Sequence, residues 1–214
     1  GSTIRSAVTG LPLKVIATLI IKQSFFLFTQ RDIRRVQDLK GKRIAISNFA
    51  SSTDNSARTA LKHHGLEAMR DVTLIAMGDT GVRFQALLSG AIEAAILTPP
   101  YTVMAEQKGL NNLVWLGDIL GDVPSNGLST TVKKLKENPD QVHRMLRASV
   151  RSMIYTREHK QEALPILMKE FPGMEKNTLA GTLDFYLKAM SPDGRVSESV
   201  VLELIREQRE LMNV

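Results

Sequence analysis

Cysteine is absent from all 214 residues, which removes disulfides, thiolate nucleophiles, zinc ribbons and iron–sulfur clusters together. Such a chain suits an oxidising exterior without demanding one. Long apolar runs are missing too. The longest, Val15 to Ile21, carries Thr18 inside it and falls far short of the ~18 residues of a membrane span. No apolar signal segment follows Gly1 to Arg5. Aromatic residues make up only 5% of the chain, although its formal net charge is +6. The basic clusters Arg31/Arg34/Arg35, Lys40/Lys42/Arg43 and Lys133/Lys134/Lys136 therefore lack the stacking partners or motif of a nucleic-acid surface and read as solvated faces. No nucleic-acid partner is expected, and the positive charge favours small anions instead.

Catalytic signatures are equally sparse. There is no Gly-x-Ser-x-Gly elbow, no Gly-x-Gly-x-x-Gly and no Gly-x-x-x-x-Gly-Lys, so neither a serine nucleophile nor a nucleotide cradle is indicated. His63 and His64 are adjacent, which on a helix points them about 100° apart and prevents chelation of one metal. Asp54, Asp79 and Asp118 stand at element ends, where aspartate serves as a cap. No catalytic residue, metal or cofactor is expected.

What the chain does contain is a short apolar strand, Arg43 to Ser47, running through Asn48, Phe49 and Ala50 into Ser51, Ser52 and Thr53. A helical pattern follows, with Ala57, Ala60, Leu61 and His64 on one face and Gly65 as its stop. The start of a helix offers unpaired N–H groups and about half a positive charge, so a carboxylate, sulfonate or phosphate finds donors there. Capping suits the same residues, with Ser52 as the N-cap.

With 43% hydrophobic residues the chain can bury a core as one large domain or two small ones. Its first half alternates strand and helix, which predicts an α/β fold around a mostly parallel sheet. Strands are expected at Leu13 to Ile20, Phe25 to Thr29, Arg43 to Ser47, Val72 to Ala76, Ala91 to Leu97, Leu113 to Leu116 and Asn126 to Thr130. Helices are expected at Thr53 to His64, Gly81 to Ser89 and after Pro100 through Gln107. From Asn138 onward the period is helical: Asn138-Pro139-Asp140-Gln141 reads as N-cap, first-turn proline and capping-box glutamine. Apolar stripes then run through Val142 to Ile154, through Ala163 to Leu167 with Pro165 near the first turn, and through Leu179 to Met190. Ser197 caps a last helix bearing Val200, Val201, Leu204, Ile205, Leu211 and Met212.

Ligands of open α/β sheets bind beyond the carboxyl ends of the strands. Four polar loops fall there: Asn48 to Thr53, Gly78-Asp79-Thr80, Thr98-Pro99-Pro100-Tyr101, and Ser125-Asn126-Gly127.

Gly10-Leu11-Pro12-Leu13-Lys14-Val15, Asp38-Leu39-Lys40-Gly41-Lys42-Arg43-Ile44, Ala86-Leu87 with Gly90-Ala91-Ile92-Glu93-Ala94-Ala95-Ile96, and Pro99-Pro100 before Ala105 occur in that order. This succession resembles the solute-binding proteins of ABC importers for nitrate, sulfonate, taurine and pyrimidine precursors of thiamine. The resemblance implies a type II periplasmic-binding-protein clamshell that closes on a small solute and delivers it to a membrane permease, in the periplasm or anchored at the cell surface. Family members begin with further strands and helices ahead of the Gly-Leu-Pro-Leu-Lys segment, so the chain is expected to be shortened at its N-terminus. Residues 1–38 would then form an incomplete lobe I, 39–121 a complete doubly wound lobe II, and 122–214 the return to lobe I with its C-terminal helices. Self-association of the shortened form is expected, because the strand Leu13 to Ile20 is apolar on both faces.

On this reading Ser51, Ser52 and Thr53 hold the acidic group of the solute, Asp79 and Thr80 add polar contacts, and Asn48 and Asn126 add lateral ones. Tyr101 packs a ligand face or lines the rim, or is a core or surface tyrosine. Two other readings share the fold. One is a pyrimidine-precursor enzyme, whose relatives use a cysteine-rich iron site absent here. The other is the effector-sensing domain of a transcription regulator, which should follow a helix-turn-helix that the sequence does not contain.

Overall fold

A computed structural model describes residues 2–212, apart from the side chains at 2, 5, 207, 208, 211 and 212. The chain opens with α1 (Ser2–Val8), β1 (Leu13–Ile20), β2 (Phe26–Thr29), β3 (Arg43–Ile46), α2 (Ser52–His63), β4 (Thr73–Ala76) and α3 (Thr80–Leu88). It continues with β5 (Ala94–Leu97), α4 (Tyr101–Gln107), β6 (Asn111–Trp115), α5 (Leu116–Leu120) and β7 (Asn126–Thr131). The remainder is helical: α6 (Val132–Glu137), α7 (Pro139–Glu158), α8 (Lys160–Glu170), α9 (Lys176–Ala189) and α10 (Glu198–Met212). Two compact units result, one of residues 24–121 with 173–185, the other of residues 1–23, 122–172 and 186–214.

The first unit holds a five-stranded sheet in the order β4-β3-β5-β2-β6. β3 pairs in parallel with β4 and β5, whereas β2 runs antiparallel to both β5 and β6. Four strands thus share one direction. β2 lies in the stretch that the sequence set apart as 1–38, yet it pairs within this sheet, so that stretch is divided between the two units.

Both faces of the sheet are covered, as expected for central parallel strands. Ile44 and Ile46 of β3 pack with Leu27, Ile96 and the α2 residues Ala57, Ala60 and Leu61. Ala45, one step out of phase, faces the other side with Phe28, Leu97, Phe84 and Leu87 of α3, and Ala105 of α4. The alternation of side chains along a strand decides which helix each residue meets. Burying each large apolar side chain contributes roughly 1.5–3 kcal/mol.

The second unit is built on an antiparallel pair, β1 with β7, in register from Leu13↔Thr131 to Ile20↔Asn126 with two irregularities. The segment after α9 lines the other side of β1: Ser191 N–H donates to Leu19 O at 2.8 Å, and Thr18 N–H to Gly194 O at 2.8 Å. Its helices differ from expectation in two places. Asn138 is the N-cap of α7 but its side chain makes no capping hydrogen bond, and the side chain of Gln141, the expected capping-box partner, accepts from Lys134 Nζ. Pro165 is the sixth residue of α8 and lies inside the helix, past its first turn. Ser197 O accepts from Val201 N–H at 3.3 Å at the start of α10, while the side chains of Leu211 and Met212 lie outside the described residues.

Candidate functional site

Because β3, β4 and β5 are parallel, their carboxyl ends open on one edge of the sheet. The loop after β3 is tied to the loop after β4 by Met77 N–H to Ile46 O at 2.8 Å and Gly78 N–H to Ser47 O at 2.9 Å. Seven expected site residues, Asn48, Ser51, Ser52, Thr53, Asp79, Thr80 and Tyr101, follow these three strands. Asn126 belongs to the other unit, where it starts β7, is exposed, and lines a cavity of about 200 Å³ with Thr3, Ile4, Val15, Thr18 and Gly127.

The start of α2 is a closed set of hydroxyls. Thr53 Oγ1, buried, accepts from Ser47 N–H at 2.8 Å and lies 2.8 Å from Ser47 Oγ and 2.9 Å from Ser51 Oγ. Ser47 Oγ donates to Ser51 Oγ at 3.0 Å. The N-cap is Ser51, not Ser52: Ser51 has extended backbone and its Oγ accepts from Asp54 N–H at 3.3 Å. Ser52 is the exposed first helical residue, and the chain reaches it through Ala50, whose φ of 58° is a left-handed conformation. The buried Asp54 carboxylate accepts from Ala50 N–H and Arg58 Nε, both at 2.7 Å, and so complements the positive end of α2 from within. The hydroxyls of Ser47, Ser51 and Thr53 are thus engaged with one another, and the groups left at this helix start are backbone N–H donors without a net charge. Asn48 is exposed, with its carbonyl accepting from Ser51 N–H at 3.4 Å.

At the end of β4, Asp79 is the N-cap of α3 through Oδ1, which accepts from Gly81 N–H at 2.8 Å. Thr80 Oγ1 accepts from Nη2 of Arg83 at 2.9 Å. Arg83, which sequence reasoning passed over, is 2% exposed and also donates through Nε to Ile96 O at 2.9 Å and through Nη1 to Gly78 O. Burial pulls its pKa down from the ordinary value, opposed by the field of Asp79. In sequence Arg83 looks like one more solvated charge among 28 lysines and arginines, and only the packing of α3 on the sheet puts it inside. Tyr101 is half-buried: its ring lies 5.5 Å from that of Phe84, and its hydroxyl sits where a side chain on Gly81 would project, 2.8 Å from that Cβ position. Gly81 is thus required by a close approach.

The same edge carries an aromatic group that sequence reasoning also missed. Phe26 opens the antiparallel β2 opposite Leu97 and Trp115, at the carboxyl ends of β5 and β6. Its ring stacks on Trp115 at 5.8 Å and meets Phe185 of α9 edge-on at 5.3 Å. The three residues are 159 positions apart at the extremes, and no local pattern announces their meeting.

Among the described residues there is no cluster of three or more metal-ligating side chains, and no helix is long and apolar enough to cross a membrane.

In a comparison with known proteins, the chain is 25% identical over 176 residues to a riboflavin-binding protein, RibY, of Chloroflexus aurantiacus, covering 80% of this chain and 49% of that one. The chain therefore spans about half the length of that curated relative. Among solved structures it resembles the periplasmic aliphatic sulphonate binding protein SsuA of Escherichia coli, with a TM-score of 0.76 at 20% identity, over 98% of this chain and 67% of that one. It also resembles the desulfurization enzyme DSZB, with a TM-score of 0.68 at 15% identity, over 98% of this chain and 77% of that one. The fold is therefore the α/β fold of type II periplasmic binding proteins, which an enzyme also uses. A family description, NMT1/THI5 like, matches residues 1–163, and the chain belongs to the NMT1/THI5-like family.

Proposed function

We propose that the chain is the solute-binding component of an ABC importer, a binder rather than a catalyst, which captures a small anionic or polar solute such as a sulfonate outside the cytoplasm and passes it to a membrane permease. The observation that carries this reading is the convergence of Ser51, Ser52, Thr53 and Thr80 on one carboxyl edge of the five-stranded sheet. N–H and O–H donors are gathered there at two helix starts, the arrangement that holds an oxyanion. Likeness to SsuA and RibY supports a binding role, and likeness to the periplasmic SsuA supports a location in the periplasm. Asn48, Asp79 and Tyr101 are proposed as further ligand contacts. The likeness to DSZB is the support for an enzyme of the same fold.

Thermal unfolding in the presence of methanesulfonate, taurine, nitrate and an aminopyrimidine tests the reading. A solute at 100 times its dissociation constant adds ~2.7 kcal/mol of stability, so a shift with one of these, with the solute recovered unchanged, is the expected result. Chemical conversion of the solute would favour the enzyme.

A further inference from the structure

All three donor groups of the buried Arg83 end on neutral acceptors: the carbonyls of Ile96 and Gly78 and the hydroxyl of Thr80. A guanidinium withdrawn from water calls for a counter-charge, and none of these bonds provides one. Asp79, whose field reaches Arg83, has Oδ1 turned to Gly81 N–H. Arginine keeps its proton even when buried, so a positive charge stands beneath the carboxyl edge of β4 and β5.

A hydroxyl has one proton and two lone pairs. Thr80 Oγ1 accepts from Arg83 at 2.9 Å, so its proton is directed away from the guanidinium, and Thr80 donates it to no acceptor among the described residues. A donor backed by a cation is strengthened, because linked hydrogen bonds polarise one another.

We propose that Arg83 is a positioning residue for anion capture: it fixes Thr80 Oγ1 as an acceptor and thereby commits the Thr80 hydroxyl proton to an oxyanion bound at the sheet edge. This rests on the anion-binding reading above and names what makes the site prefer an anion to a neutral molecule of the same shape. Arg83 does not touch the ligand. It acts through Thr80, while its bonds to Ile96 and Gly78 hold the end of β5 against the loop after β4.

Calorimetric titration with methanesulfonate and its neutral isostere methanesulfonamide reads the preference directly. The full chain is compared with Arg83→Lys, Arg83→Met, Thr80→Val and the double variant Arg83→Met/Thr80→Val. The unaltered chain should prefer the sulfonate, and Arg83→Met and Thr80→Val should each lose at least tenfold of that preference. The double variant should lose no more than either single one, since both break one relay. Arg83→Lys, which keeps the charge but not the fork, should restore part of the preference. Thr80→Val is nearly isosteric and keeps the inference testable even if Arg83→Met folds poorly. An unchanged preference in Thr80→Val, or strictly additive losses in the double variant, would overturn the inference alone. No sulfonate preference in the unaltered chain would overturn the anion reading, and the inference with it.

Discussion

Three hydroxyls, those of Ser47, Ser51 and Thr53, satisfy one another before any ligand arrives. The donors left over at the start of α2 are backbone ones, and Ser52 is the residue that exposes them: it is the first helical residue and carries an exposed side chain. Ser52→Pro is therefore the clean probe. Proline is favoured at the first helical position, and Ser51 already has the extended backbone that a following proline demands. The substitution deletes one N–H while the cap and the buried Thr53 bonds stay in place. Stability in denaturant melts should change by less than ~0.5 kcal/mol, while methanesulfonate affinity should fall about tenfold, the worth of one hydrogen bond to a charged group. Unchanged affinity would reduce Ser51 to Thr53 to a helix cap.

Helices and strands were legible to different depths. β3, β4 and α2 follow from alternation and capping chemistry, because parallel strands and amphipathic helices write their neighbours into a local period. The first residues expected of β5, Ala91 to Glu93, are bends, and the strand begins at Ala94. Leu116, expected to end β6, instead opens α5, where it is fully buried. α8 shows why composition alone misplaces a proline: Pro165 lies in the interior and removes one i to i−4 bond there. Interior proline costs ~3 kcal/mol relative to alanine, so Pro165→Ala should raise stability by ~1–3 kcal/mol, read as a higher denaturant midpoint. A fall in stability would mean that the Pro165 ring is needed for the packing around Ala163, which is 7% exposed.

The two units differ in how well they are closed. The five-stranded sheet is covered on both faces, whereas the other unit has a two-stranded sheet, and strand pairs are marginal without further partners. Among the described residues β7 pairs only with β1, leaving an edge, and Leu11 and Val15 nearby are 55% and 47% exposed. An unpaired edge beside exposed apolar side chains recruits another chain. Light scattering should therefore show mass rising with protein concentration, accompanied by uptake of a hydrophobic dye. A strict monomer that takes up no dye would count against this.

By itself the sequence determined the α/β class, the order of most strands and helices, the polar loops after β3, β4 and β5, and the family resemblance. Each of these is encoded by neighbours within one or two turns or pleats, or by motifs in a fixed order. Only the tertiary structure decided that β2 joins the sheet of β3 to β6, that Phe26, Trp115 and Phe185 meet, and that Arg83 is buried against Thr80. Those facts depend on contacts between distant segments and on which side of α3 meets the sheet. A charge on that helix reads the same in sequence whether it faces water or the core.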